Sequence, residues 1–316
     1  MALSEMQVFN EYILPATVET LAQQIEKFNG ASGGSLTLTM GGFDGDFYQK
    51  SFFESLEAAQ RRVNRYAAQA TVTPADLSQL RADGVKIAGG FGLIRYEPAQ
   101  LTWLRQPTAQ GIEVASTNFA KVLMKDQLNT AIAALVAATM GSTSTSKTVA
   151  TELNYSVIND SHALFGDSSG NLIAEVMNGA MYHKLVSQNL KNTAQLFQFD
   201  SVRIVDILGK IVVVTDAPAL YDSTNSLYRV LSLVSNAAVV YDAGNLVSNI
   251  ETTNGNTRIE TTMQVDYDFG LALKGYSWDQ TTGGKSPSDA AIATSANWDK
   301  TATDVKSTAG VIAIGA

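Results

Sequence analysis

The stretch STNFAKVLMKDQLNTAIAALVAATM, residues 116–140, holds the strongest structural pattern in the sequence. Its apolar side chains return every three or four positions, at Phe119, Val122, Leu123, Ala131, Ile132, Leu135 and Val136. This spacing predicts a helix with one apolar face. At about 1.5 Å per residue the helix would span about 37 Å. Because it is so long, we expect it to serve as the spine of the fold.

A polar run, Gly141 to Lys147, follows the helix and consists otherwise of serine and threonine. Such a run predicts a linker and a domain boundary. Residues 148–250 then form a mixed α/β block. We expect helices at 159–165 and 172–189, and strands at 201–207, 210–215, 228–234 and 237–241. The dipeptide Leu208-Gly209 predicts a hairpin between the first two of these strands.

An arm and an extended segment precede the spine. Within the arm, residues 1–34, the stretch 15–28 has helical spacing, and its apolar stripe could cover either its own domain or a neighbouring subunit. Residues 35–95 combine glycines, alternating apolar positions and a helix-prone stretch at 54–70. We expect this segment to find its burial on another subunit.

The candidate inter-subunit contacts are a basic cluster and three phenylalanines, namely Arg61, Arg62, Arg65, Phe43, Phe47 and Phe91. The arginines could contact nucleic acid, but pairing with acidic side chains of this chain or the next is favoured.

After position 250 the chain returns to strand. Alternation predicts a long strand over 257–276, a helix from about 286 to 297 and a short strand over 311–314. Asp266 and Asp268 fall on one face of the long strand, where they could bind a cation or face solvent, and solvent is favoured.

Composition excludes several kinds of site. The absence of cysteine excludes disulfides, thiolate zinc sites, iron–sulfur clusters and cysteine nucleophiles. Lys and Arg number 22 and Asp and Glu 30, so the net charge of −8 argues against a dedicated nucleic-acid reader. No signal peptide or stretch long enough to cross a bilayer is found. We therefore expect a protein with no metal, no cofactor and no membrane contact, whose low charged fraction of 16% reflects a surface covered by other chains.

The two histidines, His162 and His183, are candidates for acid–base chemistry. We interpret both as surface or interface residues. We expect no enzyme. A cytosolic hydrolase that uses His162 or His183 is the alternative from another functional class.

The order of elements resembles the major capsid protein of tailed bacteriophages, with the Hong Kong 97 type fold. The resemblance extends over nearly the whole chain and is strongest from about 150 to 306. It rests on the strings Phe165-Gly-Asp167, Ile173 to Met177, Tyr182 to Leu185, Gly209 to Pro218, Phe269 to Tyr276, Asn297 to Lys300 and Asp304 to Lys306.

The resemblance implies an α+β capsid fold and a shell subunit. Its segments would be an N-terminal arm (1–34), an extended loop (35–95), a peripheral domain (96–147 with spine helix 116–140), an axial domain (148–250) and the peripheral return strands with the C-terminal segment (251–316).

The implied shell is built of hexamers and pentamers and forms an icosahedral capsid around double-stranded DNA. The implied partners are a separate scaffolding protein, a portal protein and a decoration or cement protein. Packaged double-stranded DNA would lie near the subunit without specific binding. The virion capsid, and the host cytoplasm before assembly, are the implied locations. An encapsulin-like cellular compartment is the alternative within the same fold.

Overall fold

Two large β-sheets pack against one long helix in the computed structural model, and β-strands 276–278 and 298–300 form a small third sheet. The structure describes residues 14–41, 45, 47–53, 62, 64–68, 79–96, 109–193, 210–254 and 259–316. The helices are α1 (Leu14–Ala31), α2 (Ala109–Met140), α3 (Tyr155–His162), α4 (Gly179–Thr193), α5 (Gln280–Gly283) and α6 (Asp289–Ile292). The strands are β1 (Leu36–Met40), β2 (Phe47–Phe53), β3 (Gln79–Tyr96), β4 (Ser146–Thr148), β5 (Leu172–Met177), β6 (Ile211–Val214), β7 (Tyr221–Asp222), β8 (Leu227–Val234), β9 (Ala238–Asn254), β10 (Ile259–Leu273), β11 (Tyr276–Trp278), β12 (Trp298–Lys300) and β13 (Gly310–Gly315). The chain is thus α+β, as predicted.

The first sheet has the strand order β1-β9-β10-β3-β2. Neighbours are antiparallel, except that β1 runs parallel to β9. The short strand β1 pairs only with Ala238–Asp242, and β2 pairs only with Gln79–Val85. Beyond those pairings the sheet consists of three described strands, β9, β10 and β3.

The second half of α2 forms the centre of the core. Its seven buried apolar residues are at most 4% exposed: Ala131, Ile132, Ala134, Leu135, Val136, Ala137 and Ala138. A helix that is apolar on nearly every side lies inside the protein. Helix α1 packs on α2 and contributes Leu21 and Ile25 to the same core. Of the two alternatives for the predicted helix at 15–28, the structure therefore shows packing on its own chain.

The second sheet has the order β4-β13-β8-β5-β6, and β7 pairs with β8. The C-terminal strand β13 is buried along its whole length between β4 and β8. The prediction placed this C-terminal segment with the peripheral return strands in 251–316, and its last strand pairs with strands of the second sheet. Conversely, β9 lies in the first sheet, although we expected residues up to 250 in the axial block. Pairing between distant segments leaves no local pattern, so sheet membership could not be predicted.

The predicted helix over 172–189 is wrong in its first part, because Leu172–Met177 is strand β5. Five of its six residues are buried between β8 and β6, and such a strand shows no alternation. An apolar run of that length is equally compatible with helix and strand.

Several boundaries also differ from prediction. Helix α2 begins at Ala109 rather than near 116, and α3 covers Tyr155–His162 rather than 159–165. The predicted helix over 286–297 consists of α6 and a 3₁₀ turn at Ser295–Asn297. The long strand runs from Ile259 to Leu273, where a turn containing Gly275 with φ of 77° ends it.

The strand predicted at 201–207 and the Leu208-Gly209 hairpin lie outside the described residues. Within the helix-prone stretch 54–70, the described residues 62 and 64–68 are not helical.

Candidate functional site

One face of the three-stranded part of the first sheet is open to solvent. Asp266 lies opposite Val247, and Thr262 lies opposite Glu251 and Arg95. Residues directly opposite each other, and residues four apart on one strand, share a face. We call this surface the outer sheet face and define it by Arg95, Val247, Glu251, Thr262 and Asp266, together with Leu93 in the neighbouring β-bulge.

Two large apolar side chains are exposed on the outer sheet face. Leu93 is 73% and Val247 is 70% exposed. The acidic groups Glu251 and Asp266 are exposed beside them, while Arg95 forms an ion pair of 3.0 Å with Glu260. The face is therefore partly apolar with an excess of negative charge, a composition suited to a partner that carries both apolar and basic side chains.

The opposite face of the same strands packs against α2. Met263 and Val265 are buried, and the ring of Phe91 lies 5.3 Å from that of Phe119, edge to face. Phe47 on β2 is half-buried against the main core. Phe91 and Phe47 therefore have partners within their own chain. Contact of these two rings with another subunit stays a prediction.

The described arginines of the basic cluster lie at the surface. Arg62 and Arg65 are exposed, and Tyr66 beside them is 92% exposed. Arg61 and Phe43 lie outside the described residues. Sequence analysis did not single out Tyr66, although an aromatic ring beside a basic cluster is a frequent anchor in protein interfaces.

Two sheet edges are also open within the described chain. No described strand pairs with the outer edge of β3 beyond Val85, or with that of β9 beyond Asp242. Unpaired edges present N–H and C=O groups that can pair with another chain. Together with the outer sheet face they form a continuous region that the described part of the chain leaves uncovered.

The histidines provide no catalytic arrangement. His162 is buried, and its Nε2 atom lies 2.9 Å from Ser232 Oγ and 3.3 Å from Glu175 Oε1. A catalytic relay needs the acid on one ring nitrogen and the nucleophile on the other, whereas both groups here meet the same nitrogen. The prediction that His162 is a surface or interface residue was wrong. His183 is exposed and lies edge to face with Tyr182.

The two candidate cation ligands are otherwise engaged. Asp268 forms an ion pair of 3.0 Å with Lys86, and Asp266 accepts a hydrogen bond from the Gln264 amide. In the described part of the chain no group of three or more His, Cys, Asp or Glu side chains could hold a metal ion. None of the described helices is long and apolar enough to cross a membrane.

Comparison with known proteins identifies the fold. The Cyanophage Pam1 capsid asymmetric unit aligns with a TM-score of 0.50 and 9% identity, over 89% of this chain and 87% of that chain. A structure from Mycobacterium phage Adephagia aligns with a TM-score of 0.51 and 11% identity, over 88% and 87%. No curated protein sequence matches the chain. The family model of major capsid protein 13-like proteins (Gp13-like) matches residues 5–312. The chain therefore belongs to the major capsid protein 13-like family, and it is a structural subunit of a phage capsid shell rather than an enzyme.

Proposed function

We propose that the chain self-assembles into hexamers and pentamers of an icosahedral capsid that encloses the double-stranded DNA genome of a phage. The observation that supports this most directly is the uncovered region formed by the outer sheet face and the two open strand edges. A shell subunit needs such surfaces because each copy must contact several neighbours.

Each of the two large sheets is assigned to one proposed domain of the shell subunit. The second sheet, with β4 to β8 and the C-terminal β13, would form the axial domain around the five- and six-fold axes. The first sheet and α2 would form the peripheral domain. Residues 35–95 would extend over a neighbour, and residues 1–34 would be the N-terminal arm, although α1 also packs on its own chain.

Charge complementarity favours one particular contact between neighbours. Arg62 and Arg65 would bind Glu251 and Asp266 on the outer sheet face of the next copy, while Tyr66 packs on Val247 or Leu93. All these side chains are exposed in the single subunit. Arg61 belongs to the same basic cluster in the sequence and is included in the proposal.

The proposed partners follow from the same role. A separate scaffolding protein would direct assembly, a portal protein would occupy one vertex, and a decoration or cement protein would bind the finished shell. Subunits would gather in the host cytoplasm before assembly. Packaged DNA would lie near a neutral to acidic inner wall, in keeping with the net charge of −8, so that phosphates are not held tightly.

Light scattering coupled to size-exclusion chromatography, followed by electron microscopy, tests the proposal. Purified protein is measured over a range of concentrations, with and without a co-expressed scaffold candidate. Shells, or rings of five and six copies, support the proposal. A protein that stays monomeric or dimeric under every condition contradicts the proposed assembly. Tight, salt-sensitive DNA binding by free subunits would contradict the proposed neutral to acidic inner wall.

A further inference from the structure

A buried acid lies in the small core between the second sheet and the helices α3 and α4. Glu175 on β5 is fully buried, and it shares a face of the sheet with Met177, because residues two apart on a strand point to the same side. Met177 belongs to a cluster of buried apolar residues from β5, β8, β13, α3 and α4. Ser232 lies directly opposite Glu175 on β8, and His162, the last residue of α3, contacts both side chains.

The carboxylate of Glu175 lacks the hydrogen bonds that a buried charge needs. Within the described part of the chain, neither of its oxygens has a hydrogen-bond partner. The Nε2 atom of His162 lies 3.3 Å from Glu175 Oε1, at the distance of an ion pair, and 2.9 Å from the hydroxyl oxygen of Ser232. A buried carboxylate without hydrogen bonds is strongly unfavourable when charged, so such a group is paired with a cation or takes up a proton.

The other titratable groups around Glu175 have partners of their own. Lys210, directly before β6, donates to two backbone carbonyl groups near the start of β5 and makes no ion pair with Glu175, and burial lowers the pKa of Lys210. Tyr155, the first residue of α3, donates its hydroxyl to a backbone carbonyl of α4. Burial, and then the charge of Glu175, raise the pKa of Tyr155. The remaining titratable side chains beside the cluster are Tyr182 of α4 and Tyr228 of β8. His162 is therefore the group that can share a proton with Glu175.

We propose that His162 and Glu175 hold one shared proton and form a pH-sensitive contact between α3 and the second sheet. With one proton the pair consists of imidazolium and carboxylate, or of neutral imidazole and carboxylic acid, and in both forms its net charge is zero. The hydroxyl of Ser232 suits both forms, because it can accept a hydrogen bond from Nε2 or donate one to it. Loss of the proton leaves an uncompensated carboxylate in the core, and gain of a second proton leaves an uncompensated imidazolium.

The direction of the pH dependence follows from the protons that the folded and unfolded states bind. In an unfolded chain, histidine releases its proton at about pH 6.5 and glutamate at about pH 4.3. Above about pH 6.5 the folded subunit therefore binds one proton more than the unfolded chain, and its stability falls as the pH rises. Each proton of difference changes the unfolding equilibrium constant about tenfold per pH unit. Between the two values both states hold one proton, and the pair adds no pH dependence.

Urea unfolding at constant ionic strength, from about pH 5 to about pH 9, tests the proposal on the purified full-length subunit, kept unassembled as verified by light scattering. Glu175→Gln keeps the shape of the side chain and removes its charge, so His162 then remains buried and neutral. This variant should not lose stability above pH 6.5. Relative to Glu175→Gln, we expect the unfolding equilibrium constant of the wild type to rise about tenfold from pH 7 to pH 8. Glu152→Gln alters an exposed acid that is ion-paired with Lys184, and it should follow the wild type.

His162→Gln provides a second variant with a different expected profile. Glu175 then keeps a proton alone, as a carboxylic acid, and stability should fall with rising pH from about 4.3 instead of 6.5. From pH 5 to pH 6 the unfolding equilibrium constant of His162→Gln should therefore rise about tenfold relative to the wild type. His183→Gln, at an exposed position on α4, is its control and should follow the wild type. Parallel pH profiles of the wild type and Glu175→Gln overturn the proposal whether or not shells assemble. If Glu175→Gln does not fold, parallel profiles of the wild type and His162→Gln overturn it.

Discussion

The side-chain amide of Gln127 on α2 donates a buried hydrogen bond of 2.5 Å to the carboxylate of Asp242 on β9. The other oxygen of Asp242 accepts a hydrogen bond of 2.7 Å from the backbone N–H of Gly244. Asp242 is the last residue of β9 that pairs with β1, and the register between β9 and β10 shifts directly after it. This carboxylate therefore fixes the long helix to the place where the sheet narrows to three strands.

Replacement of this carboxylate should destabilise the subunit. We expect Asp242→Ala to lower the free energy of unfolding by about 1.5–3 kcal/mol, because one buried and one half-buried donor lose a charged acceptor. Urea unfolding of the unassembled subunit measures the change. Asp299→Ala, an exposed acid on β12, serves as the control and should stay within about 0.5 kcal/mol of wild type. A loss no larger than that of the control would contradict the role assigned to Asp242.

The two histidines should differ in their tolerance of substitution. His162→Ala removes the partner of Glu175, which is fully buried, and also a hydrogen bond to Ser232. We expect a loss of about 1–3 kcal/mol in the free energy of unfolding. His183→Ala, at an exposed position on α4, should change it by less than about 0.5 kcal/mol.

Chemical denaturation of both variants, with assembly yield measured alongside, makes this comparison. Equal stability of the two variants would show that the buried contact of His162 contributes nothing. The sequence predicted a surface or interface position for both histidines, and the burial of His162 changes the expectation for that residue.

Gly310 lies where β13 enters the second sheet, at φ of 150°. A Cβ atom there would collide with the backbone carbonyl oxygen of Ser232 on β8, which cannot move without disturbing the strand pairing. We expect Gly310→Ala to cost about 1–3 kcal/mol.

Gly30 in α1 is the matched control for this substitution, since nothing lies within 4 Å of the Cβ atom that Ala would add. Gly30→Ala should stabilise the subunit by about 0.5–1 kcal/mol, because alanine favours a helix. The thermal and urea unfolding midpoints of the two variants should shift in opposite directions. A shift in the same direction would contradict the predicted collision at Gly310.

The turn between β7 and β8 should respond to acid. Its Asp222 accepts hydrogen bonds from the side chain and backbone of Asn225 and from the backbone of Thr224, and these, with the charge of Arg229, lower the pKa of Asp222. A lowered pKa means that the carboxylate stabilises the fold at pH values above about 4, the ordinary pKa of aspartate, and that this contribution is lost as the pH falls through the folded-state pKa.

Asp222→Asn should therefore be less stable than wild type at pH 6, and the difference should shrink as the pH approaches 3. Urea midpoints at several pH values measure it. If the difference in urea midpoint between Asp222→Asn and wild type does not depend on pH, the charge of Asp222 does not contribute to the stability of the fold.

Local patterns in the sequence predicted the elements but not their partners. The apolar stripe in α2 predicted the spine, because the buried face of a long helix appears in the sequence as apolar residues at helical spacing. The buried strand β5 has no alternation of apolar and polar residues, and its apolar run predicted a helix instead. The pairing of β13 with β8 and the contact of His162 with Ser232 join residues that are distant in sequence. No local pattern could therefore predict them.

Only one half of the candidate site could be predicted from the sequence. The basic cluster indicated an interface, but the outer sheet face that could receive it depends on the register between β9 and β10, which places Val247 opposite Asp266. The sequence predicted Phe91 as an inter-subunit contact, and the structure shows that its ring packs on that of Phe119 in the same chain.

The contact proposed between neighbouring subunits predicts a charge-swap experiment. Arg62→Glu with Arg65→Glu should abolish or strongly reduce assembly, because like charges would then face Glu251 and Asp266. The same pair of substitutions combined with Glu251→Lys and Asp266→Lys should restore it, since every subunit then carries both reversed surfaces.

Electron microscopy and sedimentation measure assembly, and circular dichroism shows that each variant folds. Lys121→Glu with Lys285→Glu alters two other exposed cations and provides a control of equal charge. Salt should weaken assembly of the wild type and of the rescued variant alike, because the proposed pairs lie at a hydrated interface. If the variant with all four substitutions assembles no better than Arg62→Glu with Arg65→Glu, the proposed contact is wrong. The basic cluster then binds some other surface, and the outer sheet face contacts a different partner.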